Sequence, residues 1–185
     1  MATVIGIAGS LRRGSFNASL LHAAAALAPP ELRVEIASIR EFPLYDGDVD
    51  TQGTPEPVRA LKDRIAQAQG LLLVTPEYNN SIPGPFKNAI DWLSRIEDGP
   101  RPVFTNKPVA VIGASPGGFG TLLSQNAWLP VLRTLETRPW FGGRLLVSRA
   151  GGMFNADGQL TDEGTKKKLS EFLEGFVLYI QSLHK

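Results

Sequence analysis

Five short runs punctuate this chain and read as apolar throughout rather than as an alternation of apolar and polar residues: Thr3–Ala8, Arg33–Ile39, Gly70–Thr75, Pro108–Gly113 and Arg144–Val147. A strand with one wet face alternates, whereas a strand covered on both faces does not, and that second pattern belongs to parallel sheets. Helical patterns fill the gaps: Asn17–Ala28, Pro57–Gln69, Phe86–Ile96, Gly120–Thr137 and a last one over Asp162–Leu183. Five βα units in this order predict an α/β fold, a doubly wound, five-stranded parallel sheet with right-handed crossovers. With 185 residues, 43% of them hydrophobic, the chain can bury one core and is short for two. A single domain over residues 1–185 is expected.

Boundary signals agree. Pro29-Pro30 stops the first helix, and Thr161-Asp162-Glu163 offers a capping side chain and acids at the start of the last. Leu169, Phe172, Phe176 and Ile180 give that helix one buried face, and Lys166, Lys167 and Lys168 read as solvated surface. Asp157-Gly158 marks a hairpin or tight turn before it. Pro130 should kink the fourth helix or shift its start. Asp46, Asp48 and Asp50 alternate like a calcium loop, but no glutamate closes the loop at the required spacing, so no metal is expected there.

Composition narrows the chemistry. The formal net charge is +1, so no broad basic field awaits nucleic acid. There is no cysteine, which removes disulfides, zinc-thiolate sites and thiol catalysis together. Two histidines, His22 and His184, lie far in sequence from the loops discussed below. Redox chemistry would have to come from a bound cofactor. No apolar run approaches the roughly 20 residues of a membrane span, and no charged leader precedes the first strand. The expected location is the cytoplasm.

In an open parallel sheet, ligands sit beyond the carboxyl ends of the strands, where the winding reverses. The first loop there is "GSLRRGSFN", Gly9 to Asn17, with Ser10, Ser15 and Asn17 as small donors, Arg12 and Arg13 as cations, and a helix N-terminus following. It lacks the lysine of a nucleotide-hydrolysing loop, and Gly6, Gly9 and Gly14 have the wrong spacing for a dinucleotide fingerprint. A terminal phosphate wrapped by hydroxyls and amides fits, as a mononucleotide requires; a capped βα turn without a ligand shares much of the pattern. The second loop, "TPEYNNSIPGP", is stiffened by Pro76, Pro83 and Pro85 and carries Tyr78, Asn79, Asn80 and Ser81. It suits a flat heterocycle with one polar edge. Trp92 falls off the apolar stripe of the next helix, and is expected to face a partner subunit rather than to pack internally. The third loop, "GASPGGFGT", offers Ser115 and close backbone approach at its glycines.

Together "GSLRRGSFN", "PLYD", "TPEYNNSIPGPFKNAIDWLSR" and "GASPGGFG" resemble the NADPH-dependent FMN reductase family, in its chromate- and quinone-reductase branch, along essentially the whole chain. The resemblance implies a flavodoxin-like sheet of strand order 2-1-3-4-5, bound FMN, NADPH or NADH as electron donor, and a homodimer or a dimer of dimers. It places the FMN phosphate on Ser10, Arg12, Ser15 and Asn17. The isoalloxazine would lie against Pro76, Glu77, Tyr78 and Asn79, with Ser115, Gly117, Gly118 and Gly120 across the crevice. It further implies ping-pong transfer of two electrons to a small-molecule acceptor such as a quinone, free flavin, an azo compound or chromate. Because the flavin carries that chemistry, no catalytic acid or base is named. The rival reading is a flavodoxin-type electron carrier, which usually shows an acidic face that this balanced chain lacks. A non-redox phosphate-binding or kinase-like protein comes third, for want of the lysine.

Overall fold

Parallel strands form the centre of the molecule, flanked by helices on both faces, in a computed structural model that describes residues 1–95 and 103–183. In chain order the elements are β1 (Ala2–Ala8), α1 (Phe16–Ala26), β2 (Leu32–Ala37), a short helical turn α2 (Gly47–Asp50), α3 (Glu56–Gln67), β3 (Gly70–Val74), α4 (Gly84–Leu93), β4 (Pro108–Ala114), α5 (Leu122–Thr134), β5 (Arg138–Pro139), β6 (Leu146–Val147), a 3-10 turn (Ala150–Gly152) and α6 (Glu163–Ser182). The sheet order is β2-β1-β3-β4-β5, all parallel, with β6 also paired to β4. This is the doubly wound, flavodoxin-like order, with its switch between β1 and β3.

Side-chain alternation along each strand feeds two cores. Val4, Leu72, Val74 and Ile112 pack with α1 and α6, while Ile5, Ile7, Leu71 and Leu73 pack with α3, α4 and α5. All five residues of β3 are therefore buried. Each of its three leucines, fully taken out of water, contributes about 1.5–3 kcal/mol. The edge strand β2 differs from the expected apolar run. Leu32 and Val34 are buried on one face and Ala37 on the other, while Arg33 and Ile36 are exposed, as befits a strand with a neighbour on one side only.

The fifth strand also departs from expectation. Instead of one strand over Arg144–Val147, two short pieces fill the position: Arg138–Pro139 beside Pro108 and Val109, and Leu146–Val147 beside Gly113 and Ala114. Between them the chain leaves the ladder so that Trp140 can set its ring against Phe172 and Phe176 of α6, at 4.8 and 5.7 Å between centroids. Pro130 lies inside α5 rather than ending it. The hydrogen bond it cannot make would have gone to Asn126, which is exposed and can turn its carbonyl to water. Helix α4 begins at Gly84, two residues before the expected start, with Pro85 in its first turn, and ends at Leu93 with Ser94 as its C-cap, three residues short of the expected end at Ile96; Ile96 and His184 lie outside the described residues.

The acidic stretch has local uses. Asp46 caps α2 through Asp48 N–H at 2.9 Å, and Asp50 pairs with Arg95 at 2.9 Å. Phe154 and Leu160 close the hairpin expected around Asp157-Gly158, with Gly158 at φ 78°. Asp162 then caps α6 by accepting from Thr165 N–H at 2.7 Å. Thr165, through its side chain first and its backbone N–H second, holds the Asp162 carboxyl below its ordinary value of 3.8. A depressed carboxyl contributes stability above that value and loses it as pH falls through the lower, folded value. Asp162→Asn keeps a capping oxygen but cannot titrate. Urea midpoints between pH 5 and 2 should therefore fall more steeply for the parent than for the variant, and parallel slopes would contradict this.

Candidate functional site

The loops after β1, β3 and β4 meet at the carboxyl edge of the sheet. The first is residues 9–15. Gly9 N–H joins Val74 O at 2.9 Å, and a Cβ at Gly9 would collide with the Phe86 ring, so the loop lies directly on α4. Ser15 caps α1, its Oγ accepting from Ala18 N–H at 3.2 Å. The five successive backbone N–H groups from Arg13 to Asn17 make no hydrogen bond among the described residues, although Ser15 and Asn17 are buried. Orphaned donors at a helix N-terminus, with Ser10 and Ser15 hydroxyls beside them and the exposed Arg12 and Arg13 at the rim, form an anion cradle.

The Asn17 side chain is anchored to the sheet. Its Nδ2 donates to Ala114 O at 2.8 Å and its Oδ1 accepts from Ala114 N–H at 2.9 Å. The amide thus imitates a strand residue and ties the first loop to the end of β4 across β3. What remains to Asn17 for a ligand is its backbone N–H and the second hydrogen of Nδ2.

In the second loop, Tyr78 and Ser81 exchange backbone hydrogen bonds at 3.2 and 3.0 Å around Asn79 and Asn80, both at positive φ (50° and 62°). Two central residues with positive φ make a type I′ turn, which asparagine tolerates. Tyr78 stands 40% exposed, its hydroxyl 3.5 Å from Ser10 Oγ. Pro76 is buried beneath the loop. Glu77 turns its carboxylate away from the loop: Oε2 accepts from Leu123 N–H at 2.8 Å and Ser124 N–H at 3.0 Å. It therefore caps α5, whose own N-cap residue Thr121 makes no side-chain cap. Thr75 and Ser124 hydroxyls join beneath at 2.8 Å. Second loop and α5 are thereby tied together.

The third loop is braced from behind. Ser115 N–H donates to Val147 O at 2.9 Å, Ser115 Oγ accepts from Gly117 N–H at 3.1 Å, and Gly120 has φ 64° with Leu146 against the place of a Cβ. Gly118 meets nothing within 4 Å, leaving its backbone open to a ligand. Phe119 beside it is 84% exposed.

The segment after the second loop has its own task. Trp92 is fully buried, contrary to the interface expected for it: Nε1 donates to Pro43 O at 2.9 Å and the ring meets Tyr45 edge-on at 4.9 Å. Asn88 accepts from Tyr45 N–H at 2.8 Å and donates to Pro43 O at 2.9 Å. Asn88 and Trp92 thus strap "PLYD" to α4. They lie four apart on one helix face, which is why Trp92 sits beside rather than on the apolar stripe.

An open cleft of about 980 Å³ along the outer face of α1, against the Phe154–Thr161 hairpin, shares Arg13, Gly14 and Ser15 with the first loop. His22 lines it too, but no residue of the second or third loop does, so it is not the place for a ring held by all three. Among the described residues no helix is long and apolar enough to cross a membrane.

Known proteins resemble this chain over nearly its whole length. A family model described as NADPH-dependent FMN reductase matches residues 2–152. The chain is 39% identical over 180 residues to an NAD(P)H-dependent FMN reductase of Pseudomonas aeruginosa, covering 97% of this chain and 96% of that one. It is 38% identical over 184 residues to a quinone reductase of Escherichia coli, covering 96% and 95%. The solved structure of the flavoenzyme NAD(P)H:(acceptor) oxidoreductase of Paracoccus denitrificans superposes with a TM-score of 0.86 at 37% identity, over 98% of both chains.

Proposed function

Because the chain belongs to the NADPH-dependent FMN reductase family, we propose that it is an oxidoreductase that holds FMN at the carboxyl edge of its sheet and uses NAD(P)H to reduce quinones. The observation that carries this is the row of five backbone N–H groups from Arg13 to Asn17 that make no hydrogen bond among the described residues, on a loop whose Ser10 hydroxyl meets Tyr78 of a second loop rigid enough to seat a ring. The first loop would hold the FMN phosphate through those amides, the Ser10 and Ser15 hydroxyls and the Arg12 guanidinium. Asn17 would act there through its backbone N–H and the second Nδ2 hydrogen, its Oδ1 and first Nδ2 hydrogen being engaged with Ala114. Pro76, Glu77, Tyr78 and Asn79 would line one side of the ring, and Ser115, Gly117, Gly118 and Gly120 the other. Glu77 would meet it through backbone groups, its carboxylate being bound to α5.

Bound flavin supplies reversible two-electron chemistry, which lets donor and acceptor use one open face in alternation, the ping-pong order. The chain's own residues would bind and orient the ring and its substrates, and the one net proton that quinone reduction takes up would come from solvent at the open face. Supporting a homodimer are large apolar side chains left exposed on the loops and helix ends at this edge, Leu44 at 85%, Phe119 at 84% and Leu123 at 44%.

The purified protein is expected to be yellow or to become so with FMN, and to be bleached by anaerobic NADPH and recoloured by a quinone. Failure to take up flavin overturns the reading; a flavin that NAD(P)H cannot reduce favours an electron carrier instead. Arg12→Ala and Ser15→Ala each remove one hydrogen bond to the phosphate, of roughly 1–3 kcal/mol when an ion takes part, and Ser15→Ala also removes the α1 cap to Ala18 N–H. FMN binding should weaken by up to about a hundredfold, and unchanged affinity in both removes the first loop from the site.

A further inference from the structure

Arg149 holds a backbone conformation that costs an arginine energy. Its φ of 49° lies in the left-handed region, where a Cβ is crowded and glycine is at ease. The third loop imposes it: Arg149 N–H donates to Gly117 O at 2.9 Å, Ala150 N–H to Ser115 O at 3.1 Å, and Gly152 N–H returns to Arg149 O at 3.1 Å. The side chain takes no part in this. It is exposed, and among the described residues no hydrogen bond or ion pair engages its guanidinium. Neither packing nor capping accounts for an arginine here, and strain kept beside a ligand crevice is a mark of a ligand clamp.

The charges around it agree. Arg12 and Arg13 at the first loop are likewise exposed and unpaired among the described residues. Glu77, the acid of the second loop, is turned to the N-terminus of α5. In a chain of net charge +1, this rim is locally cationic. A guanidinium fork matches a phosphate with two hydrogen bonds at once.

We propose that Arg149 selects the electron donor, its guanidinium binding a phosphate of the nicotinamide dinucleotide beside the third loop. The FMN phosphate is served by the first loop, so Arg149 is free for the second ligand. The proposal rests on the flavin-dependent reading above and adds the residue that tells phosphorylated donors from others.

Arg149→Gly removes the guanidinium and relaxes the backbone, so the melting temperature and the FMN dissociation constant should hold or improve. The KM for NADPH should rise about tenfold to a hundredfold with kcat unchanged, and calorimetric affinity for NADP⁺ should fall in parallel. Arg149→Lys should recover part of both. 1-Benzyl-1,4-dihydronicotinamide, a hydride donor with no phosphate, should be unaffected. An effect on NADPH and NADP⁺ alone assigns the 2′-phosphate, and an equal effect on NADH and NAD⁺ assigns the diphosphate; both support the clamp. Unchanged binding of both dinucleotides, or an equal loss with the benzyl donor, overturns it. Wild-type protein that takes FMN but binds neither dinucleotide overturns the underlying reading as well, whereas wild-type binding that ignores the substitution overturns this proposal alone.

Discussion

Asn17→Ala is expected to lower stability by about 2–6 kcal/mol and to release FMN. The Asn17 amide satisfies both the N–H and the C=O of Ala114, at 2.9 and 2.8 Å, in a site where Asn17 is 3% exposed. Removing it leaves two backbone groups without partners, each costing roughly 1–3 kcal/mol where water cannot reach. Against a typical total of about 5–15 kcal/mol, that is a large share. The clamp is also what holds the first loop to the third, so the cradle and the far side of the crevice would separate. Asn17→Asp separates the two contributions: a carboxylate still accepts from Ala114 N–H but repels Ala114 O, and should fall between parent and alanine. Urea unfolding followed by circular dichroism, with FMN binding measured by fluorescence quenching, reads both effects. Parent-like stability in Asn17→Ala would refute the clamp.

Gly113→Ala should be as damaging for the opposite reason. A Cβ there would run into the carbonyl oxygen of Thr75 and the hydroxyl of Thr121. A side chain can swing aside, but Thr75 O is backbone at the end of β3, directly before the second loop, and Thr75 N–H is already bound to Ile112 O at 2.8 Å. Making room means spreading β3 from β4. Overpacking costs about 1–3 kcal/mol where side chains can yield, and here about 3 kcal/mol or more. Gly118→Ala is the control, since nothing lies within 4 Å of the added carbon. The expected result is a melting temperature lowered by several degrees in the first variant and unchanged in the second. Equal melting temperatures would show that the strands can part without cost.

Much of this was legible beforehand, for particular reasons. Strands β1, β3 and β4 are buried on both faces, so their apolar runs carry no ambiguity of period. Asp162 and Ser15 cap their helices as residues of their type do. Strand β5 was missed because two residues held by a neighbour have no periodicity of their own. The misreading of Trp92 came from a helix wheel, which ranks faces by hydrophobicity and cannot know that a loop from the other side of β2 folds over the flank of α4.

The residues around the crevice divide in the same way. That the first loop binds an anion follows from local chemistry, in which small hydroxyls, arginines and a helix start sit side by side. The partners of Asn17 and Glu77 do not follow from it: one lies 97 residues away at Ala114, the other 46 and 47 residues away at the start of α5. A polar side chain before a helix can serve a ligand or a neighbouring backbone equally well, and its own neighbours in sequence are identical in both cases. The amino-acid sequence by itself determined the layered α/β architecture, its strand order through family resemblance, and the edge where a ligand belongs, because burial period and turn chemistry act over a few residues. Only the tertiary structure decided which polar groups at that edge remain free, because satisfying a buried N–H or C=O depends on what the fold brings within about 3 Å of it.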